Sequence, residues 1–147
     1  MTTVVQGVDL AREGKHPGLI CRVPSGWVVL CDLQYLRGYS ILLPDPVVIS
    51  INNLDQSKRA AYLRDMVTVG DALLEVTDAY RINYALAGNM DPFLHAHIVP
   101  RYLTEPEEIR RGLPWSYPKE VMNANLLDPK RDGELIGRLA KAIKQRL

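Results

Sequence analysis

The chain has 147 residues, 47% of them apolar and 24% charged, with a formal net charge of +1. That is the size and balance of one globular domain with a proper core, spanning 1–147. The near-neutral charge gives no electrostatic case for nucleic acid or a membrane surface as primary partner, and no stretch approaches the roughly 20 apolar residues of a membrane span.

The opening residues lack the basic-then-apolar pattern of a secretory leader, so a cytoplasmic setting is expected. Cys21 and Cys31 are too few for a disulfide framework and match no zinc knuckle. They read as reduced thiols packed as small hydrophobes in strands.

Val8, Leu10 and Ala11 hint at a short helix before Gly14, Pro17 and Gly18 punctuate the chain. Residues 19–23 read as a strand, the Pro24-Ser25-Gly26 turn follows, and residues 27–31 form its hairpin partner. After a loop, residues 39–43 make a third strand, ended by Pro44-Asp45-Pro46. A long helix is expected over residues 57–79, with Leu63, Met66, Val67, Leu73, Leu74 and Thr77 as its buried stripe. Asp55 or Ser57 would cap it, and Lys58, Arg59, Arg64, Asp65 and Glu75 would form its solvated face. Residues 82–86 and 94–99 read as fourth and fifth strands, the latter stopped by Pro100. Beyond it, Pro106, Pro114 and Pro118 leave room only for a short turn of helix near 107–111, before a closing amphipathic helix over 133–146. The pattern is α+β: a mostly antiparallel sheet of about five strands, one long helix packed on it, and a C-terminal helix.

The chemistry concentrates in Leu94-His95-Ala96-His97-Ile98-Val99-Pro100-Arg101, which holds two of only three histidines. In an extended strand alternate side chains share a face and rise about 6.6 Å over two residues. His95 and His97 would therefore sit side by side, with Leu94, Ala96 and Ile98 facing the other way. Such a pair has three readings. It can lie on a wet strand face and do nothing. It can ligate zinc or iron, although a third ligand is then needed: the nearest downstream carboxylate is Glu105, beyond Pro100, and His16 sits in a remote loop. Or one imidazole can attack phosphorus while the other supports the phosphate or the leaving group, with backbone N–H groups of Gly88 and Asn89 holding the non-bridging oxygens.

The run Ala87-Gly88-Asn89 followed by Phe93-Leu94-His95-Ala96-His97-Ile98-Val99-Pro100-Arg101 resembles the active-site segment of the histidine triad (HIT) superfamily. That segment has a Gly-Gln-type turn, then His-x-His-x-His and often Pro-Arg. Gly38-Tyr39-Ser40-Ile41-Leu42-Leu43-Pro44 is similar to a second conserved strand of that family, and the long helix lies between the two segments, as the family has it. The likeness covers about residues 18–115; the C-terminal extension, with its helix near 133–146, lies outside it.

The resemblance implies a HIT-like enzyme: a nucleotide hydrolase or nucleotidyl transferase acting at the α-phosphate of a nucleoside phosphate ester, anhydride or phosphoramidate, such as a dinucleoside polyphosphate. His95 matches the nucleophile that becomes nucleotidylated, and His97 the histidine that supports the phosphate and the leaving atom. Asn89 replaces the usual Gln, Gly88 belongs to the phosphate turn, Asp32 falls near the group that holds ribose hydroxyls, and Asn83 is a candidate for the phosphate site. No cofactor is required; a divalent cation would accompany a polyphosphate substrate. A homodimer through helix and strand is expected. Two departures stand out: Phe93 replaces the first histidine of the triad and Tyr39 replaces another family histidine. A catalytically silent nucleotide binder and a metal-dependent enzyme using the His-x-His pair therefore remain as alternatives. Arg101 is read as pairing with a carboxylate or reaching solvent. Trp115 and the charged run 105–111 are read as structural.

Overall fold

The computed structural model describes residues 2–147. Five strands, β1 (Leu19–Val23), β2 (Gly26–Leu30), β3 (Ser40–Pro44), β4 (Arg81–Ala85) and β5 (Ala96–Arg101), form one antiparallel sheet in the order β1-β2-β3-β5-β4. β5 is thus an inner strand, with His97 paired to Ile41 on one side and Ala85 on the other.

β5 runs through Pro100 to Arg101, two residues beyond its expected stop. The reason is local. The Arg101 carbonyl points at β4, where it accepts from Tyr80, so the neighbouring Pro100 nitrogen points at the β3 side. Pairing there has already ended at Ser40–Ile98. No ladder bond is lost by the proline.

One face of the sheet carries Cys21, Val23, Val28, Leu30, Leu42, Ala96 and Ile98 into the main core, against the long helix α2 (Gln56–Val76) and the closing helix α5 (Pro129–Lys144). Asp55 caps α2 by accepting the Lys58 amide at 2.8 Å. The stripe that α2 buries is Tyr62, Asp65, Val69, Gly70, Ala72 and Leu73. The expected stripe is therefore turned: Leu73 is buried, but Leu63, Val67 and Leu74 are exposed. Asp65, read as solvated, is buried and accepts the Ser25 amide at 2.9 Å, which ties the β1–β2 turn to the helix. A carboxylate serving a buried backbone donor looks in sequence like any surface acid.

α5 begins four residues before its expected start and ends two earlier than expected, with Asp128 capping its first turn. Leu135, Leu139, Ala142 and Ile143 place it in the main core as expected, so the C-terminal extension packs against the long helix and the sheet.

The other face is covered from two ends. Helix α1 (Val4–Arg12) lays Val4 and Val8 on Val29 and Leu43, with Ile41, Val47 and Phe93 alongside. Its start is a capping box, Thr3 and Gln6 bonding each other's backbone. At the opposite end Cys31, Leu36, Tyr39 and Val99 form a second cluster with Tyr35, Tyr102 and Tyr117. The return segment carries α3 (Glu107–Arg110) and an unanticipated α4 (Lys119–Ala124). Ile41 belongs to both clusters. Its strand partner His97 therefore lies in the seam between them.

Candidate active site

His95 and His97 meet as the alternation of an extended chain requires: their ring centroids are 4.8 Å apart, inclined at 68°. The contacts at Nδ1 distinguish the two rings. Nδ1 of His95 lies 2.8 Å from the Phe93 carbonyl. A carbonyl can only accept, so Nδ1 carries the proton, and in the neutral ring Nε2 is left with its lone pair. Nδ1 of His97 lies 2.6 Å from the Tyr39 hydroxyl. Burial raises the pKa of that phenol, which keeps its proton. Burial, and then the neighbouring His95, push the His97 imidazole down to about 4. At neutral pH His97 is therefore uncharged; with Tyr39 donating to Nδ1, its own proton sits on Nε2.

The loop that delivers Tyr39 is shaped by the buried Gln34, whose amide donates to the Cys31 and Tyr39 carbonyls and accepts the Gly38 amide. Gly38 has φ +97°, a conformation that L side chains rarely adopt. The loop before His95 is held by Asp91, which accepts the Phe93 amide at 3.2 Å and the Val4 amide of α1 at 2.8 Å. Phe93 itself points into the apolar cluster beneath α1. At the position of the first triad histidine, the chain thus supplies a half-buried apolar residue whose backbone carbonyl anchors the nucleophile candidate.

A cleft of about 280 Å³ opens beside His95, lined by Ile49, Ser50, Asn52, Leu86 and Gly88 among others. Gly88 has φ +63°. Its neighbour Asn89 is exposed on the same loop, outside the cleft lining. Asp32 stands away from this group, at the amino end of α1, where its carboxylate is 3.4 Å from the Thr2 amide. Asn83 shares the sheet face of the histidines, but its side chain accepts from Arg101 at 2.8 Å and lines a separate groove of about 640 Å³ that touches neither histidine. The structure therefore brings His95, His97 and Gly88 together, leaves Asn89 at the rim, and places Asp32 and Asn83 elsewhere.

Arg101 is buried and pairs with the buried Glu105 at 3.0 Å, while donating to the carbonyls of Ile109, Arg110 and Gly112. It fastens the return segment, on which Trp115 lies with its ring centroid 5.4 Å from that of His97 at 82°. Sequence reading missed Gln34, Asp91 and the neighbourhood of Trp115. Only Asp91 carried a local signal, an Asx turn two residues before Phe93. His16 is buried and accepts the Gly18 amide, and burial lowers its pKa. Cys31, beneath Tyr39, is a free thiol pushed up to about 12 by burial.

Solved structures share this fold. A histidine triad protein from Bradyrhizobium japonicum is 26% identical, with 85% of this chain and 89% of that chain covered and a TM-score of 0.66. The chain belongs to the histidine triad superfamily. A histidine triad protein from Sinorhizobium meliloti shares 21% identity over 95% of this chain and 93% of its own, with a TM-score of 0.70. A hypothetical histidine triad nucleotide-binding protein from Sulfolobus tokodaii shares 12% identity over 94% of this chain and 91% of its own, also at 0.70. No protein-family model and no curated protein matches the sequence. The α+β sheet, with its long helix, is the histidine triad fold.

Proposed function

We propose that this histidine triad protein hydrolyses or transfers a nucleoside phosphate group through a nucleotidyl intermediate on His95. The observation that carries the reading is the bond from Nδ1 of His95 to the Phe93 carbonyl. It fixes one tautomer and leaves Nε2 as a nucleophile beside a cleft whose wall includes Gly88. The Sulfolobus tokodaii neighbour is described as nucleotide-binding, which supports the same ligand class here.

In the first step the Nε2 lone pair of His95 forms a bond to the α-phosphorus, and the bond from phosphorus to the leaving oxygen or nitrogen breaks. The phosphate's negative charge raises the pKa of the adjacent His97, which enters the step protonated, its Nδ1–H on Tyr39 and its Nε2–H on the leaving atom. His97 gives that Nε2 proton to the departing electron pair. In the second step water bonds to phosphorus, the P–N bond to His95 breaks, and a water proton returns to His97, releasing the nucleoside monophosphate. Backbone amides of Gly88 and Asn89 hold the non-bridging oxygens. Asp32 and Asn83 lie outside the cleft lining, and the proposed steps use neither. The chemistry needs no metal, and a divalent cation would accompany only a polyphosphate substrate.

A metal-dependent reading finds less support. Among the described residues no group of three or more His, Cys, Asp or Glu side chains is placed to hold an ion. A silent nucleotide binder is separated by turnover: incubation with diadenosine polyphosphates and adenosine phosphoramidate should release AMP, and a His95→Ala variant should not. AMP binding without turnover of either substrate would favour the silent binder.

The partner we propose is a second copy of the chain. Leu63, Val67 and Leu74 expose an apolar stripe on α2. Tyr84 of the edge strand β4 packs its hydroxyl against Gly70 of that helix, so that strand and helix make one continuous face. Light scattering that gives twice the mass of one chain supports this; a monomer at all concentrations contradicts it.

A further inference from the structure

We propose that the groove between β4 and the return segment is a binding site separate from the histidine cleft, and that its ligand is a condensed phosphate: inorganic triphosphate or the phosphate chain of a nucleotide. The groove encloses about 640 Å³ and touches neither histidine. Its volume is that of a small-molecule site. Four of its lining residues are arginines, Arg81, Arg101, Arg110 and Arg111, and none is acidic. On a chain whose formal net charge is only +1, that is a local concentration of positive charge, and a concave wall focuses its field.

Strand pairing builds the floor. Arg81 stands opposite Arg101 and Asn83 opposite Val99, in register with Ala85 opposite His97. By alternation these side chains share the histidine face of the sheet, away from α2. The return segment supplies the wall, from Arg110 to Leu113. Arg101 joins the two. Buried and paired with Glu105, it donates to the carbonyls of Ile109, Arg110 and Gly112. The groove is therefore preformed, and the wall carbonyls that would repel an anion are already engaged.

Two cations in this groove lack counter-charges. Among the described residues neither Arg81 nor Arg110 forms an ion pair. Nε of Arg110 is buried with no acceptor, and an unpaired buried donor on a charged group is costly. The Arg110 guanidinium lies 5.9 Å from the centroid of the Tyr80 ring, within cation–π range, which sets it against the β4 side. Arg111 is tied only to Glu107, in an exposed pair that contributes little. A planar carboxylate accepts one guanidinium fork. A tetrahedral phosphate turns oxygens toward floor and wall at once, and a chain of phosphates carries charge to match several arginines.

Calorimetric titration of inorganic triphosphate into the full chain, without divalent cations, tests the site. Wild type should bind one triphosphate per chain, and His95→Ala should bind it equally. Arg81→Gln and Arg110→Gln should each weaken binding roughly tenfold. Leu113→Glu, which places a carboxylate at a lining residue 68% exposed, should weaken it at least as much. Urea midpoints of the variants, measured alongside, separate a lost site from a lost fold. ATP distinguishes the two sources: an excess affinity over triphosphate that disappears in Arg110→Gln assigns the nucleotide, and no such excess assigns the inorganic chain. Citrate, the carboxylate control, should bind at least tenfold more weakly than triphosphate. The proposal is overturned by a wild type that does not bind triphosphate, by unchanged affinity in both arginine variants, by loss of binding in His95→Ala, or by citrate binding as tightly.

Discussion

The Tyr39 hydroxyl stands 2.6 Å from Nδ1 of His97, at a position where the family places a histidine. A phenol that keeps its proton can donate to a neutral imidazole or accept from a protonated one, so one bond would serve His97 both before and during the proposed proton transfer. Tyr39→Phe leaves Nδ1 without that partner. The bond is worth about 1 kcal/mol net, so kcat should fall by roughly fivefold to tenfold with KM little changed, and the limb of the pH–rate profile assigned to His97 should move. A kcat and pH profile identical to wild type would show that Tyr39 does not orient the ring.

Restoring the first histidine should not help. Phe93 packs under α1 with Val4, Val8, Val29 and Leu43, and its carbonyl, which any residue would supply, already anchors His95. Phe93→His places a polar ring in an apolar cluster, at a loss of about 1–3 kcal/mol of stability. Urea denaturation should show that loss, with no gain in turnover. A large rise in activity would mean that the site does lack a side-chain contact at this position.

β5 begins at Ala96 rather than at the expected 94, so His95 stands just before the strand, but the alternation of an extended chain depends on backbone geometry alone and still holds: Ala96 and Ile98 go to the core and the imidazoles to the opposite face. The hairpin and the closing helix were legible for similar local reasons. What escaped depends on long-range partners. Asp65 and Gln34 are polar in sequence but buried in service of backbone groups at Ser25 and Gly38. The α2 stripe was misjudged because the helix is apolar on more than one side, and only the packed structure shows which side the sheet takes. Asp32 and Asn83 came from matched positions, and such matching cannot show that Asn83 is engaged by Arg101.

Arg101 and Glu105 form a buried pair beneath the return segment. Removing one partner strands the other charge away from water, at about 3–5 kcal/mol. Arg101→Met should therefore be strongly destabilised in chemical denaturation, and should release Trp115, read as a red-shifted tryptophan emission below the unfolding transition. A variant as stable as wild type would contradict the anchoring role.

His97 sets a pH dependence of stability in the absence of ligand. Its folded pKa of about 4 lies below the ordinary value of 6.5. Between those values the unfolded chain takes up a proton that the folded ring refuses, so stability falls as pH is lowered through that window. The full shift corresponds to at most about 3 kcal/mol, less because the ring is only partly buried. His16, also lowered by burial, acts in the same sense. Denaturation midpoints at pH 7 and 4.5 should differ less in His97→Asn than in wild type; an equal difference would remove His97 as a cause.

The central claim concerns a bond from His95 to phosphorus. It is tested most directly by acid-free quenching of the enzyme with adenosine phosphoramidate within the first turnover, followed by peptide mass spectrometry. A nucleotidyl adduct on the peptide containing His95, absent from His95→Ala, is the expected result. Complete turnover with no adduct, together with undiminished turnover in His95→Ala, would contradict it.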